Sequence, residues 1–190
     1  MKRVFLVLLV LIAAAVAFVA SRPATFHLER STTIAAAPEA VFPHVNDFHR
    51  WGAWSPWEKL DPNMVRTFGG PESGNGSTYH WTGNKAVGEG NMTITESTPH
   101  QAVGIKLEFI KPYAATSTAR FALTPAAGGT QVTWSMDGEN NFVSKAMCIF
   151  VSMDKMVGGD FERGLAALKT VSESPAQSPA PTPASPDSTH

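Results

Sequence analysis

The chain has 190 residues, 43% of them hydrophobic, which suits one folded domain and excludes both wholesale disorder and a protein of many membrane spans. Fifteen basic residues against sixteen acidic ones, with a pI near 6.6 and no Lys/Arg run, leave no electrostatic footprint for a phosphate backbone, so nucleic acid is not an expected partner. The single Cys148 forms no intramolecular disulfide and no CxxC redox or zinc motif.

The first segment, "MKRVFLVLLVLIAAAVAFVASRP", places Lys2 and Arg3 before an uncharged apolar run from Val4 to Ala20. At about 1.5 Å per helical residue this run covers roughly 26 Å, slightly short of a hydrocarbon core about 30 Å thick but within the usable range. The sequence therefore predicts an uncleaved membrane anchor over residues 4–20, with the following domain outside the cytoplasm (periplasmic or extracytoplasmic) and the two basic residues inside. A cleaved signal is the alternative, since Ala13-Ala14-Ala15 and Ala15-Val16-Ala17 both offer small residues for cutting and a secreted form would follow.

After residue 23, "TFHLERSTTIAA" sets Phe26, Leu28 and Ile34 on one parity and predicts a first strand. "APEAVFPHVNDFHRWGAWSPW" then opens with Pro38 and Glu39 at a helix start, followed by Val41, Val45 and Phe48 at helical spacing, with Pro43 interrupting. One or two short helices are expected. This segment carries Trp51, Trp54 and Trp57, which on an α-helix would stand about 60° apart in succession and form one aromatic ridge before Pro56 ends the helix. Residues 61–83 are rich in Gly, Pro, Ser and Asn, with short extended pieces "MVRTF" and "STYHW", the second setting Tyr79 and Trp81 on one face.

The later strands are the clearest. Val103, Ile105, Leu107 and Phe109 alternate with polar or small residues, as do Ala115, Ala119, Phe121 and Leu123, then Val132, Trp134 and Met136 after a turn at Gly128-Gly129. Consecutive hairpins of this kind predict an antiparallel sheet with one dry face. From Phe142 to Val171 apolar residues, among them Phe150, Met153, Val157 and Phe161, recur every three or four positions and predict one long amphipathic helix across that face, kinked at Gly158-Gly159 with Asp160 capping its second piece. Residues 172–190 hold five prolines and no large apolar side chain, and read as a disordered Pro/Ser-rich tail. The folded domain is expected over residues 24–171, in the α+β class.

This element order is similar to the helix-grip fold of the START-like, or SRPBCC, superfamily. The stretches "IAAAPEAVFPHVNDFHRWGAWSPW", "EGNMTITESTP", "TQVTWSMDG" and "MDKMVGGDFERGLAALK" resemble its bacterial branch of polyketide cyclase/dehydrase and lipid transport proteins. The resemblance implies a curved antiparallel sheet wrapped on a long C-terminal helix, with a cavity between them for a lipid or another hydrophobic small molecule. It places the tryptophan segment near the cavity entrance. It implies no catalytic residue, because members of the superfamily share no single catalytic motif, and one fold hosts unrelated functions.

The side chains expected to meet a ligand are Trp51, Trp54, Trp57, Tyr79, Trp81, Phe109, Phe121, Trp134, Met136, Phe150 and Met153, although rings and thioethers at such positions also serve simply as core. No GxSxG, HExxH, P-loop or GxGxxG motif is present, and "GGPESGNGS" lacks the lysine of a phosphate loop. No metal site and no cofactor is expected: His44 and His49, five residues apart, would lie about 140° from each other on a helix. Glu89, between Gly88 and Gly90, with Asp61 and His80, are the candidates for an acid or base if one points inward. Three functions stay open: a carrier of a hydrophobic molecule, a cyclase- or hydrolase-type enzyme on an apolar substrate, and a protein-interaction module whose cavity is filled by side chains.

Overall fold

The computed structural model describes residues 2–140, 142–149 and 152–174. A first helix, α1 (Lys2–Ala20), is followed by β1 (Thr25–Ile34), α2 (Pro38–Asn46) and two short 3-10 segments, Phe48–Ala53 and Pro56–Lys59. Six strands come next: β2 (Val65–Gly69), β3 (Thr78–Thr82), β4 (Glu89–Thr98), β5 (Ala102–Lys111), β6 (Ala115–Ala126) and β7 (Gly129–Glu139). Helices α3 (Phe142–Cys148) and α4 (Met153–Glu173) close the chain's described part. Short helices after the first strand, then hairpins, then C-terminal helices follow the order the sequence predicts, with three short helical segments where one or two were expected and, among the described residues, two C-terminal helices where one was.

All seven strands form one antiparallel sheet in the order β1-β7-β6-β5-β4-β3-β2. The first strand closes onto the last, and each remaining neighbour pair is joined by a local connection. Period-two alternation decides the faces: Leu28, Met136, Ala119, Ile105 and Ile94 are buried on the concave side, while His27, Lys106 and Gln131 point to water. On that side α2 covers the end built by Ile34, Val103 and Val132, and α4 runs along β1.

The last helix departs from expectation in one respect. Helix α3 ends at Cys148 and α4 starts at Met153, capped by the Ser152 hydroxyl accepting from Lys155 N at 3.3 Å, whereas Gly158-Gly159 lie inside an uninterrupted helix. Close packing is the reason for the glycine: a Cβ on Gly158 would stand 2.6 Å from Arg30 Nη2. Arg30 uses this gap to reach Asp154 at 2.6 Å and Glu162 at 2.8 Å, tying β1 to two points of α4 about two turns apart. Asp160 instead pairs with Arg163 within the helix. The helix also runs two residues past the expected boundary at 171, because Glu173 accepts from Ala35 N at 2.6 Å and Ser172 is buried. Of the expected Pro/Ser tail, residues 175–190 lie outside the described residues.

Candidate ligand cavity

The tryptophans do not share one α-helix: Trp51 lies in the first 3-10 segment, Trp54 is its C-cap, and Trp57 lies in the second segment beyond the extended Ser55. Trp51 and Trp54 stand 4.8 Å apart, and Trp54 and Trp57 each meet Trp134 edge-on at 5.7 Å. Their indole N–H groups are partly accounted for by backbone: Trp54 donates to His44 O at 2.9 Å and Trp51 to Val45 O at 3.4 Å. The row thereby bridges the 3-10 segments, the sheet and α2.

Behind this row lies a cavity of about 200 Å³ between the concave face of the sheet and α4. Its walls come from Trp51 and Trp57, from Tyr79, Trp81, Met92, Ile105, Leu107, Phe109, Ala119, Trp134 and Met136 on five strands, and from Val157 and Phe161 on α4. Met64 and the loop residues Ala86 and Val87 complete it. Trp81 is held by donating to Val87 O at 3.0 Å.

One carboxylate reaches this space. Glu58 lines the cavity, yet its side chain is only 7% exposed and both oxygens are occupied: Tyr79 donates to Oε1 at 2.5 Å and Arg66 Nε to Oε2 at 2.6 Å. Arg66 adds Met64 O at 3.0 Å and Glu58 O at 3.2 Å, so the guanidinium is fixed at three points. Burial, reinforced by the Glu58 carboxylate, raises the Tyr79 hydroxyl well above its ordinary value of 10, and Tyr79 therefore stays a neutral donor. The paired charges offset each other locally, and apart from Ser55 the rest of the wall is made of apolar and aromatic side chains. Trp134 Nε1–H is buried with no hydrogen-bond partner among the described residues, so the wall also carries an unused donor.

The structure brings Trp51, Trp57, Tyr79, Trp81, Phe109, Trp134 and Met136 to the cavity. Trp54 and Phe121 do not line it, being fully buried against Trp134, and Met153 is half-buried in the first turn of α4, away from the lining. Phe150 lies outside the described residues. None of the three acid–base candidates reaches the cavity. Asp61 staples a loop, accepting from Asn84 N at 2.7 Å and Asn63 N at 3.0 Å. Glu89 pairs with Lys111 at 2.6 Å, which holds its carboxyl below the usual range. His80 lies on the opposite face from Tyr79 and Trp81, bonded to Asn91 at 2.7 Å. Among the described residues no group of three or more His, Cys, Asp or Glu is placed to hold a metal ion.

Glu58 is the residue that reading the sequence misses. Its only signal is an acidic residue directly after Trp57 in a proline-opened turn, and nothing in the spacing ties it to Arg66 or Tyr79. Met92 was more accessible, sharing its parity with Ile94 along "EGNMTITEST".

Known proteins agree with this architecture. A search of curated proteins finds no match. Among solved structures, protein CV1439 from Chromobacterium violaceum superposes with a TM-score of 0.53 at 15% identity, covering 80% of this chain and 98% of its own. A putative uncharacterized protein from Rhizobium leguminosarum gives 0.55 at 13%, over 80% and 97%. The di-domain ARO/CYC BexL from the BE-7585A biosynthetic pathway gives 0.61 at 15%, covering 84% of this chain and 54% of that larger protein. At these identities the likeness is one of fold. The sequence profile of one family matches residues 25–173, the whole sheet together with α2, α3 and α4, and by that match the chain belongs to the polyketide cyclase/dehydrase and lipid transport family.

Proposed function

We propose that the protein is a membrane-tethered domain outside the cytoplasm that binds a small, uncharged, hydrophobic molecule in the cavity between the sheet and α4, with no reaction required of it. The observation that carries this reading is the wall itself: aromatic rings, methionines and aliphatic side chains around about 200 Å³, with the one carboxylate already satisfied by Arg66 and Tyr79. An apolar cavity of about 150 Å³ is enough to admit benzene. Pockets for drug-sized ligands run from about 300 Å³ upward, so a guest of one or two rings, or a short acyl chain, fits best. A guest the size of an aromatic side chain buries about 150–250 Å². At about 25 cal/mol/Å² this is a gross gain of about 4–6 kcal/mol, which limits affinity to tens of micromolar or weaker and suits exchange rather than storage.

The tether reading rests on α1. Its most apolar stretch of 18 residues has a mean hydropathy of 2.8, none of the helix is buried, and Lys2 and Arg3 stand at its start, the charge pattern of a segment whose N-terminus stays in the cytoplasm. Native mass spectrometry of the full chain, purified from its own host's membranes in mild detergent, tests the binding reading. A neutral small-molecule mass retained by the wild type and displaced by added hydrocarbon is the expected result. Wild-type protein that never carries such a mass and gains none from saturating hydrocarbon would contradict it.

A further inference from the structure

Beyond α1, three of the large apolar side chains exposed among the described residues, Leu60, Val65 and Phe68, lie on or just before the edge strand β2, and the other six gather elsewhere. Ile110 and Tyr113 flank the turn between β5 and β6, Phe142, Val143 and Met147 lie on α3, and Met156 is in the first turn of α4. Strand register places them at one end of the sheet: Thr25 at the start of β1 faces Glu139 at the end of β7, Phe109 faces Ala115 just before that turn, and α3 follows β7 directly. Helix α4 runs in the same sense as β1, since Asp154 meets Arg30 while Glu173 meets Ala35, so Met156 belongs to this end too. At the opposite end, around residues 99–101 and 127–128, no large apolar side chain is exposed among the described residues. A monomeric soluble domain rarely gathers its exposed apolar side chains in this way.

The same end is where α1 leaves the domain. Only residues 21–24 separate Ala20 from Thr25, a reach of at most about 17 Å. The connection is shortened further by Asn140 N donating to Ala24 O at 2.8 Å, and Lys145 of α3 donates to Ala20 O at 3.3 Å. The cavity extends in this direction: along β5 its lining passes from buried Ile105 to half-buried Leu107 and Phe109, and the loop residues Ala86 and Val87 line it at this end too.

We infer that this end of the domain docks onto the lipid bilayer that α1 enters, seating α3 and the β5–β6 turn in the headgroup–acyl boundary with the cavity mouth toward the lipid. The inference rests on the reading of α1 as a tether. It gives the bound molecule a route between membrane and cavity that avoids open water.

Single-cysteine variants of the full chain on a Cys148→Ala background test it. An environment-sensitive fluorophore is placed by Val143→Cys, Tyr113→Cys, Val10→Cys within α1, and Ala127→Cys at the far end, and the protein is reconstituted into phosphatidylcholine vesicles with and without nitroxide-labelled lipid. Interfacial helices sit about 5–10 Å into the boundary, so the labels at 143 and 113 should lose most of their emission to the nitroxide lipid while the label at 127 keeps it. A quenched label at 10 with 143 and 113 no more quenched than 127 overturns the docking but leaves the tether. An unquenched label at 10 overturns the tether and the docking with it. Labels at 143 and 113 shielded from aqueous iodide yet untouched by nitroxide lipid would mean a protein partner or second copy covers this face, and would also overturn it.

Discussion

Trp134 on β7 and Phe161 on α4 lie face to face, their ring centroids 4.0 Å apart and their planes 12° from parallel. This stack joins sheet to helix at one side of the cavity and sets how closely α4 can approach. The closeness depends on Gly164, where a Cβ would stand 2.8 Å from Trp134 Cζ3 and 3.2 Å from Pro56 Cδ.

Gly164→Ala is therefore expected to destabilise the protein by about 1–3 kcal/mol through overpacking, although alanine favours a helix by about 1 kcal/mol over glycine. Gly159→Ala is the control: its Cβ meets only the Arg163 side chain at 3.4 Å, and stability should rise. Urea midpoints of the two variants check the opposite signs. A stabilised Gly164→Ala protein would mean that α4 stands further from the sheet.

Ala119 lies on the cavity wall and is 7% exposed. Ala119→Leu extends into the space beside it and should change stability by less than about 1 kcal/mol, whereas in a filled core the same change costs about 1–3 kcal/mol. Thermal unfolding of the variant distinguishes the two.

The Glu58 pair gives a coupling. Arg66 stays in reach of water when its partner is lost, so Glu58→Ala, which chiefly leaves the Tyr79 hydroxyl without its acceptor, should cost about 1–3 kcal/mol. Tyr79→Phe, which removes one hydrogen bond to a charged group, should cost about 1.5–3 kcal/mol. A double-mutant cycle should show non-additivity of at least about 0.5 kcal/mol, since the two groups share a contact. Strict additivity would indicate that Tyr79 donates elsewhere.

Two histidines make opposite contributions to the pH dependence. Burial, aided by the charge of Arg50, lowers the pKa of His44 below its ordinary 6.5, and its Nδ1 has no partner among the described residues. Just below pH 6.5 the unfolded chain takes up a proton there that the folded chain refuses, so His44 costs stability as pH falls through that window. His27 is raised by its hydrogen bond to Asp137, so its contribution is present below 6.5 and lost as pH rises through the raised value. It is fully exposed and its effect is small. His44→Asn should flatten the acid side of a stability profile measured from about pH 7.5 to 5, and His27→Gln should steepen it. An unchanged acid slope in His44→Asn would contradict the assignment.

The sheet and the cavity's face were legible because strict alternation in β5, β6 and β7 assigns each side chain to one side of a pleat. Alternation does not assign a place on that side. Phe121 and Trp134 stand side by side on the inner face, directly opposite each other across β6 and β7, yet only Trp134 meets the cavity. The break between α3 and α4 was hidden for a similar reason: apolar spacing continues through Phe150 and Met153 as though one helix ran on, while of the two glycines that suggested a kink Gly158 serves close approach to Arg30 and Gly159 meets only Arg163. Glu58 was invisible because its function depends on Arg66 and Tyr79, brought to it by a strand pairing that no local pattern encodes.

The most direct measurement is calorimetric titration of the full chain in detergent with indane, an uncharged two-ring hydrocarbon, in wild type and Ala119→Leu. The account predicts saturable one-site binding to the wild type, with a dissociation constant of tens to hundreds of micromolar and a negative heat-capacity change, weakened at least about tenfold, or 1.4 kcal/mol, in Ala119→Leu. No saturable heat in the wild type, or equal binding by both proteins, would contradict it.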